Sequence, residues 1–288
     1  MQNEGGVQVR AWVEYYRDLG VHDFYRRGEP VPQPVCDADE GPATVNAAVE
    51  SSGYFSGDTT STPPIAETNF MPPPVRLISF NDLAPMPSAA IPAAEREAAL
   101  LAIQEEIGDC TRCPLAYAGR RKIVFGDGAA SARLMFVGEG PGADEDVQGL
   151  PFVGKAGQLL NNMIGAMGLA RSEVYIANIV KCRPPGNRVP EPTEANTCSQ
   201  FLLRQIDVVR PEAIVALGAT AATYLLGVKQ SLSSLRGRWH NCRGAKLAVT
   251  YHPAFLLRDP RQKAEAWKDL QMVMRELGLT PPAAKTKT

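Results

Sequence analysis

The chain has 288 residues, a formal net charge of -1 and 44% hydrophobic residues, enough for a substantial core in one or two domains. No apolar run reaches the ~18 residues of a membrane-spanning helix, and the opening MQNEGGVQVRAW lacks a signal-peptide core, so a cytoplasmic protein is expected. Six cysteines in a chain this long exclude a disulfide scaffold, and clustered cysteines in a cytosolic setting point to metal.

The charge is unevenly spread. Residues 1–95 carry 5 basic and 13 acidic side chains, and residues 96–288 carry 25 and 18. An acidic N-terminal part before a basic body suits a body that binds a polyanion. Within residues 1–27, the stretch 9–27 is predicted to form a short amphipathic helix carrying Trp12, Tyr15, Tyr16 and Leu19. It would pack on the body or dock a partner protein. Residues 28–94 are rich in Pro, Ser, Thr, Gly and Ala, as in PVPQPV and MPPPV. Such a composition buries too little apolar surface to offset chain entropy, so a disordered linker is expected, with Cys36 a bystander inside it.

The folded body is expected over 95–280, followed by a disordered tail, 281–288. Its first helix, AAEREAALLAIQEEIGDC, should turn Leu100, Leu101, Ile103 and Ile107 inward and end at Gly108. Cys110-Thr-Arg-Cys113 and the basic run Arg120-Arg121-Lys122 follow. Leu134–Val137 reads as a buried strand leading into an acid- and glycine-rich loop, 138–149, and from Lys155 the pattern becomes helical. A second strand is predicted over 174–180, then a helix over 193–209 with Thr193 as its N-cap. A third strand over 213–217 is followed by a helix over 219–226, and a fourth strand over 246–251 by a helix over 259–277. This alternation predicts an α/β fold, a mainly parallel sheet with helices on both faces.

Cys110 and Cys113 form a C-x2-C pair, Cys182 follows the second strand, and Cys198 lies in the next helix. Two pairs far apart can close one four-thiolate site, suited to zinc or to an iron–sulfur cluster; spacing does not choose between them. Cys242 has no obvious partner. The GEGPGA of positions 138–143 fits a loose dinucleotide fingerprint, but Pro141 removes a donor and Asp144, Glu145 and Asp146 would repel a pyrophosphate. Strand ends instead offer Phe152, Asn178 and His252 to one crevice. A ring for stacking, an amide for edge hydrogen bonds and an imidazole make a nucleobase pocket.

GEGPGADEDVQGLPFVGKAGQLL, NIVKCRPPGNR, LRGRWH and YHPAFLLR together resemble the signatures of family 4 uracil-DNA glycosylases, in that family's order, over roughly residues 97–277. The resemblance implies the uracil-DNA glycosylase fold, a three-layer sandwich around a short sheet, and a [4Fe–4S] cluster on Cys110, Cys113, Cys182 and Cys198. It implies an enzyme of base excision repair that flips deoxyuridine out of single- or double-stranded DNA and hydrolyses its N-glycosidic bond. Phe152 would stack on the uracil, Asn178 would read its N3–H and O4, and His252 would face O2. Backbone groups at Glu139 and Gly140 would complete the pocket. Leu256 and Leu257 would wedge into the vacated stack beside Arg258. Glu145 and Asp146 are the nearest candidate carboxylates and Glu139 the next, to orient water, to stabilise the sugar's oxocarbenium character or to block the 5-methyl of thymine. A monomer is expected, with residues 1–27 as the place for a repair partner. Relatives that trap uracil-DNA covalently carry a histidine in the loop after the second strand; here Arg183–Pro190 contains none, which favours turnover. A zinc-bound structural or nucleic-acid-binding module is the third reading. Similar sequences also occur as parts of phage polymerases.

Overall fold

The computed structural model describes residues 77–281. The chain divides into two units, Met1–Thr68 and Asn69–Thr288, and the described residues belong to the second. The expected N-terminal helix, most of the expected linker, Cys36 and residues 282–288 lie outside the described residues.

Four apolar runs become the centre of a six-stranded sheet. The strands are β1 (Asp127–Gly128), β2 (Leu134–Gly138), β3 (Tyr175–Asn178), β4 (Ala213–Leu217), β5 (His240–Cys242) and β6 (Ala245–Thr250), in the order β1-β3-β2-β4-β6-β5. The inner four are parallel, and β1 and β5 pair antiparallel at the edges. Parallel strands covered on both faces must be apolar on both, which is why they read as continuous hydrophobic runs.

Alternation along each strand fills two cores. Met135 and Val137 face one, with the helices α1 (Phe80–Leu83), α2 (Arg96–Ile107), α5 (Pro192–Val209) and α6 (Ala219–Leu226). Leu134 and Phe136 face the other, with α4 (Lys155–Ala166) and α9 (Lys263–Leu277). Short helices α3 (Ala143–Gln148), α7 (Leu232–Leu235) and α8 (Pro253–Arg258) complete the body. This is the expected three-layer α/β sandwich. β2 pairs with β3 on one side and β4 on the other, so the chain order reverses there and a crevice opens at the strands' C-terminal ends.

Several local expectations are corrected. Leu101 is 54% exposed and stands outside the core that Leu100, Ile103 and Ile107 enter. Helix α5 begins one residue early, with Pro192 at its first position and Glu191 as N-cap. Thr193 is therefore not the cap; the Glu191 N–H donates to Glu194 at 2.7 Å instead. The acid-rich loop contains α3. The expected linker ends earlier than 94: Phe80 is buried, and Arg243 donates to the carbonyls of Phe80, Ala84 and Pro85 while pairing with Asp207.

Candidate active site

The crevice is a cleft of about 640 Å³ that gathers the loops leaving β2, β3, β4 and β6. Phe152, Asn178 and His252, expected there from their strand ends, line it together with Glu139, Gly140 and Arg258, which the resemblance implied. Gly138 ends β2 opposite Asn178 in the parallel register. A Cβ there would lie 2.4 Å from the Asn178 Oδ1 and 2.6 Å from the Phe152 ring, so glycine is what lets these two groups approach.

Asn178 is 2% exposed, and its Oδ1 is buried without a hydrogen-bond donor among the described residues. A buried acceptor left unpaired costs about 1–3 kcal/mol, so its presence at a cleft marks a place for a donor from outside. Behind it the backbone is fixed. The buried Lys181 ammonium donates to the Asn178 carbonyl at 3.0 Å and to Gln205 at 2.6 Å. Gln205 in turn donates to the Phe125 carbonyl and the Tyr175 hydroxyl. Burial lowers the Lys181 pKa to about 8.

His252 caps α8, its Nδ1 accepting from the Ala254 N–H at 3.1 Å. The neutral ring therefore carries its proton on Nε2. Burial, and then the Arg258 charge, lower its pKa to about 4, so it is neutral at pH 7. Its ring centroid lies 5.6 Å from that of Phe152.

The two nearest candidate carboxylates, Glu145 and Asp146, both bind backbone N–H groups. Glu145 accepts from the backbone N–H groups of Gly142, Val153 and Gly154, at 3.0, 2.9 and 3.2 Å. It lines the cleft but serves as the brace between α3 and the loop of Phe152. Asp146 is 2% exposed and accepts from the Arg121 N–H at 2.9 Å, away from the cleft lining. Both Glu145 oxygens thus hold backbone, and Asp146 stands outside the cleft; Glu139, the next candidate, lines it. Leu256 is likewise corrected: at 1% exposure it belongs to the core, while Leu257 is 43% exposed and Arg258 is at the surface. A helix turns adjacent residues about 100° apart, so only one of the two leucines can face out.

A fourth loop, not expected from sequence, brings Gly218, Ala219 and Thr220 after β4 to the cleft. β4 itself was legible, so the same strand-end rule could have found them. Lys155 and Arg188 also line the cleft, with no signal in the sequence to mark them. Arg188 is held by both oxygens of the buried Glu194, at 2.7 and 2.8 Å.

Away from this cleft, Cys110, Cys113, Cys182 and Cys198 line one pocket with Ile107, Arg112, Arg120, Ile123 and Phe201. Among the described residues no three His, Cys, Asp or Glu side chains close to the spacing of a single metal ion. Donors nonetheless converge on the sulfurs. Arg112 donates to the Cys110 Sγ and Arg120 to the Cys182 Sγ, both at 3.4 Å, and the Lys181 N–H donates to the Cys198 Sγ at 3.3 Å. Burial pushes the Cys198 thiol up to about 12 and raises Cys113 and Cys182. Four thiols lining one pocket, with donors aimed at three of them, fit a group that binds them as thiolates. Cys242 is buried in the core outside this cage.

The family model of the uracil DNA glycosylase superfamily matches residues 125–271. The chain is 46% identical over 166 residues to the type-4 uracil-DNA glycosylase of Thermotoga maritima, covering 57% of this chain and 86% of that one. It is 41% identical over 178 residues to the type-4 uracil-DNA glycosylase of Pyrobaculum aerophilum, covering 59% and 90%. A DNA polymerase of Bacillus phage SP01 is 30% identical over 162 residues, 17% of its own length. With the family model spanning half of the chain and the type-4 relatives covered nearly throughout, this chain belongs to the uracil DNA glycosylase superfamily, among its type-4 members.

Proposed function

We propose that this chain is a uracil-DNA glycosylase that hydrolyses the N-glycosidic bond of flipped-out deoxyuridine, releasing uracil and leaving an abasic site for base excision repair. The observation that carries this reading is the buried, unpartnered Asn178 Oδ1 opening onto the cleft beside Phe152 and His252. Uracil brings the donor it lacks. The N3–H donates to Oδ1, and the Asn178 amide N–H donates to O4. Cytosine has an unprotonated N3 and an amino group at those positions, so both bonds are lost, at about 1–3 kcal/mol each. Phe152 supplies an apolar surface for the ring.

As the C1′–N1 bond breaks, its electron pair leaves with the base, and charge develops on uracil O2. Neutral His252, its Nδ1 occupied by the Ala254 N–H, donates its Nε2–H to that oxygen and needs no added proton to do so. Water adds at C1′ and passes its proton to solvent, and the released uracil anion takes up a proton from solvent. Glu145 and Asp146 are tied to backbone N–H groups, so Glu139, which lines the cleft, is the carboxylate left to orient the water, while His252 stabilises the departing uracil. Leu257 and Arg258, at the exposed end of α8, are suited to the vacated stack and to a phosphate. Cys110, Cys113, Cys182 and Cys198 would hold a [4Fe–4S] cluster, which supplies a covalent tie between the loop after α2, the end of β3 and α5. The substrate is uracil-containing DNA, single- or double-stranded, and the protein acts as a cytoplasmic monomer. No helix of the described residues is long and apolar enough to cross a membrane.

The test is uracil release from a synthetic deoxyuridine oligonucleotide. Asn178→Ala should reduce it by at least ~100-fold, since it removes both base-reading bonds. Folded wild-type protein that releases no uracil, or an Asn178→Ala variant as active as wild type, would sink the reading.

A further inference from the structure

Phe152 has a backbone φ of +52°, in the left-handed region that favours glycine. Such a conformation persists only where its surroundings over-determine it. They do so here. Arg171, in the helical turn Arg171–Glu173, reaches the turn from the side away from the cleft. Its Nη2 donates to the Pro151 carbonyl at 2.6 Å, and its Nη1 to the Phe152 carbonyl at 3.1 Å and to the Asn161 Oδ1 at 3.0 Å. Its Nε donates to the Asp127 Oδ2 at 3.2 Å, which fixes the plane of the guanidinium. On the following two residues, Glu145 accepts from the Val153 and Gly154 N–H groups. The carbonyl held by Arg171 also passes so close to α4 that a Cβ on Gly157 would lie 1.9 Å from it.

We propose that Arg171 is a positioning residue for uracil excision: it holds the Pro151–Phe152 carbonyls so that the strained backbone keeps the Phe152 ring as the floor of the base pocket. The proposal rests on the glycosylase reading above. Arg171 does not line the cleft, so its effect reaches substrate only through Phe152. A guanidinium suits the task because its planar fork serves successive carbonyls and a carboxylate at once, whereas an ammonium serves them as a single point.

The experiment uses the full-length holoprotein with enzyme in excess over a deoxyuridine oligonucleotide, beside inhibition by free uracil and binding to a uracil-free oligonucleotide. Arg171→Gln should slow single-turnover release about 10- to 100-fold, the range expected when a reacting group is displaced by roughly an ångström. Free-uracil inhibition should weaken in step, and affinity for uracil-free DNA should stay at the wild-type value. Arg171→Lys should fall between the two. In a Phe152→Gly background, where the ring is gone and the left-handed backbone is unstrained, Arg171→Gln should cost less than about 3-fold. Four results overturn the proposal: wild-type release by Arg171→Gln, a loss confined to KM, an equal cost in both backgrounds, or unfolding of Arg171→Gln at the assay temperature. If wild-type protein itself releases no uracil, the glycosylase reading fails first.

Discussion

A histidine that donates while neutral must be kept from protonating, and the surroundings of His252 do this twice over. Burial disfavours the imidazolium, and Arg258 repels it, bringing its pKa to about 4, below the ordinary ~6.5. As pH falls from about 6.5 to about 4, the unfolded chain takes up a proton that the folded one refuses. Stability contributed by neutral His252 is therefore complete above about pH 6.5 and declines through that window. Uracil release, read as kcat/KM, should stay level from about pH 8 down to about 5; a half-maximum near ~6.5 would exclude the neutral donor. Phe152, Asn178 and His252 were legible in sequence because each follows a strand whose end could be placed. The placement of Glu145 and Asp146 was not: that both Glu145 oxygens accept from Gly142, Val153 and Gly154, and the Asp146 Oδ1 from Arg121, depends on loops folding back from 8 and 25 residues away. Leu256 and Leu257 are adjacent in sequence, and only the facing of α8 separates the core residue from the exposed one.

Among the elements, the central strands were plain in sequence because burial on both faces leaves an unbroken apolar run, whereas β1 and β5 are two or three residues long and carry no such signal. Helix α3 was hidden for a different reason. Its sequence ADEDVQ reads as a solvated acidic loop, yet three acids in a first turn favour a helix N-terminus, and Glu145 closes the turn on the Gly142 N–H. Composition also misplaced the start of the body. Proline-rich flanks on either side of Phe80 suggested a continuous linker, but the Phe80 side chain is 1% exposed, and Arg243 collects three carbonyls from 80–85. Phe80→Ala should lower stability by about 3–5 kcal/mol, the cost of deleting a buried ring, measured by urea unfolding. A loss under about 1 kcal/mol would restore this segment to the linker.

At the scale of the whole molecule, the sheet alone does not join the loop after α2 to the loop after β3 and the helix that carry the other cage cysteines. Cys110 and Cys113 lie before β1, Cys182 after β3 and Cys198 in α5, so one group bound by all four closes two long loops. Closing a long loop stabilises mainly by restricting the unfolded chain. The same connection passes close to the base pocket, since Lys181 donates its N–H to the Cys198 sulfur and its ammonium to the Asn178 carbonyl. That link was invisible in sequence beyond the adjacency of Lys181 and Cys182, because it needs the register of α5 against the end of β3. Two buried cysteines separate cage from core. Cys198→Ala should abolish the visible absorption of the purified protein and lower Tm by several degrees more than Cys242→Ala. The latter removes a sulfur from the core and should cost about 1 kcal/mol with the colour kept. Because the cage sits behind the pocket instead of in it, uracil release by Cys198→Ala should fall with the folded fraction as temperature rises. Equal Tm shifts for the two variants, with colour retained in both, would mean that the four cysteines hold no shared group.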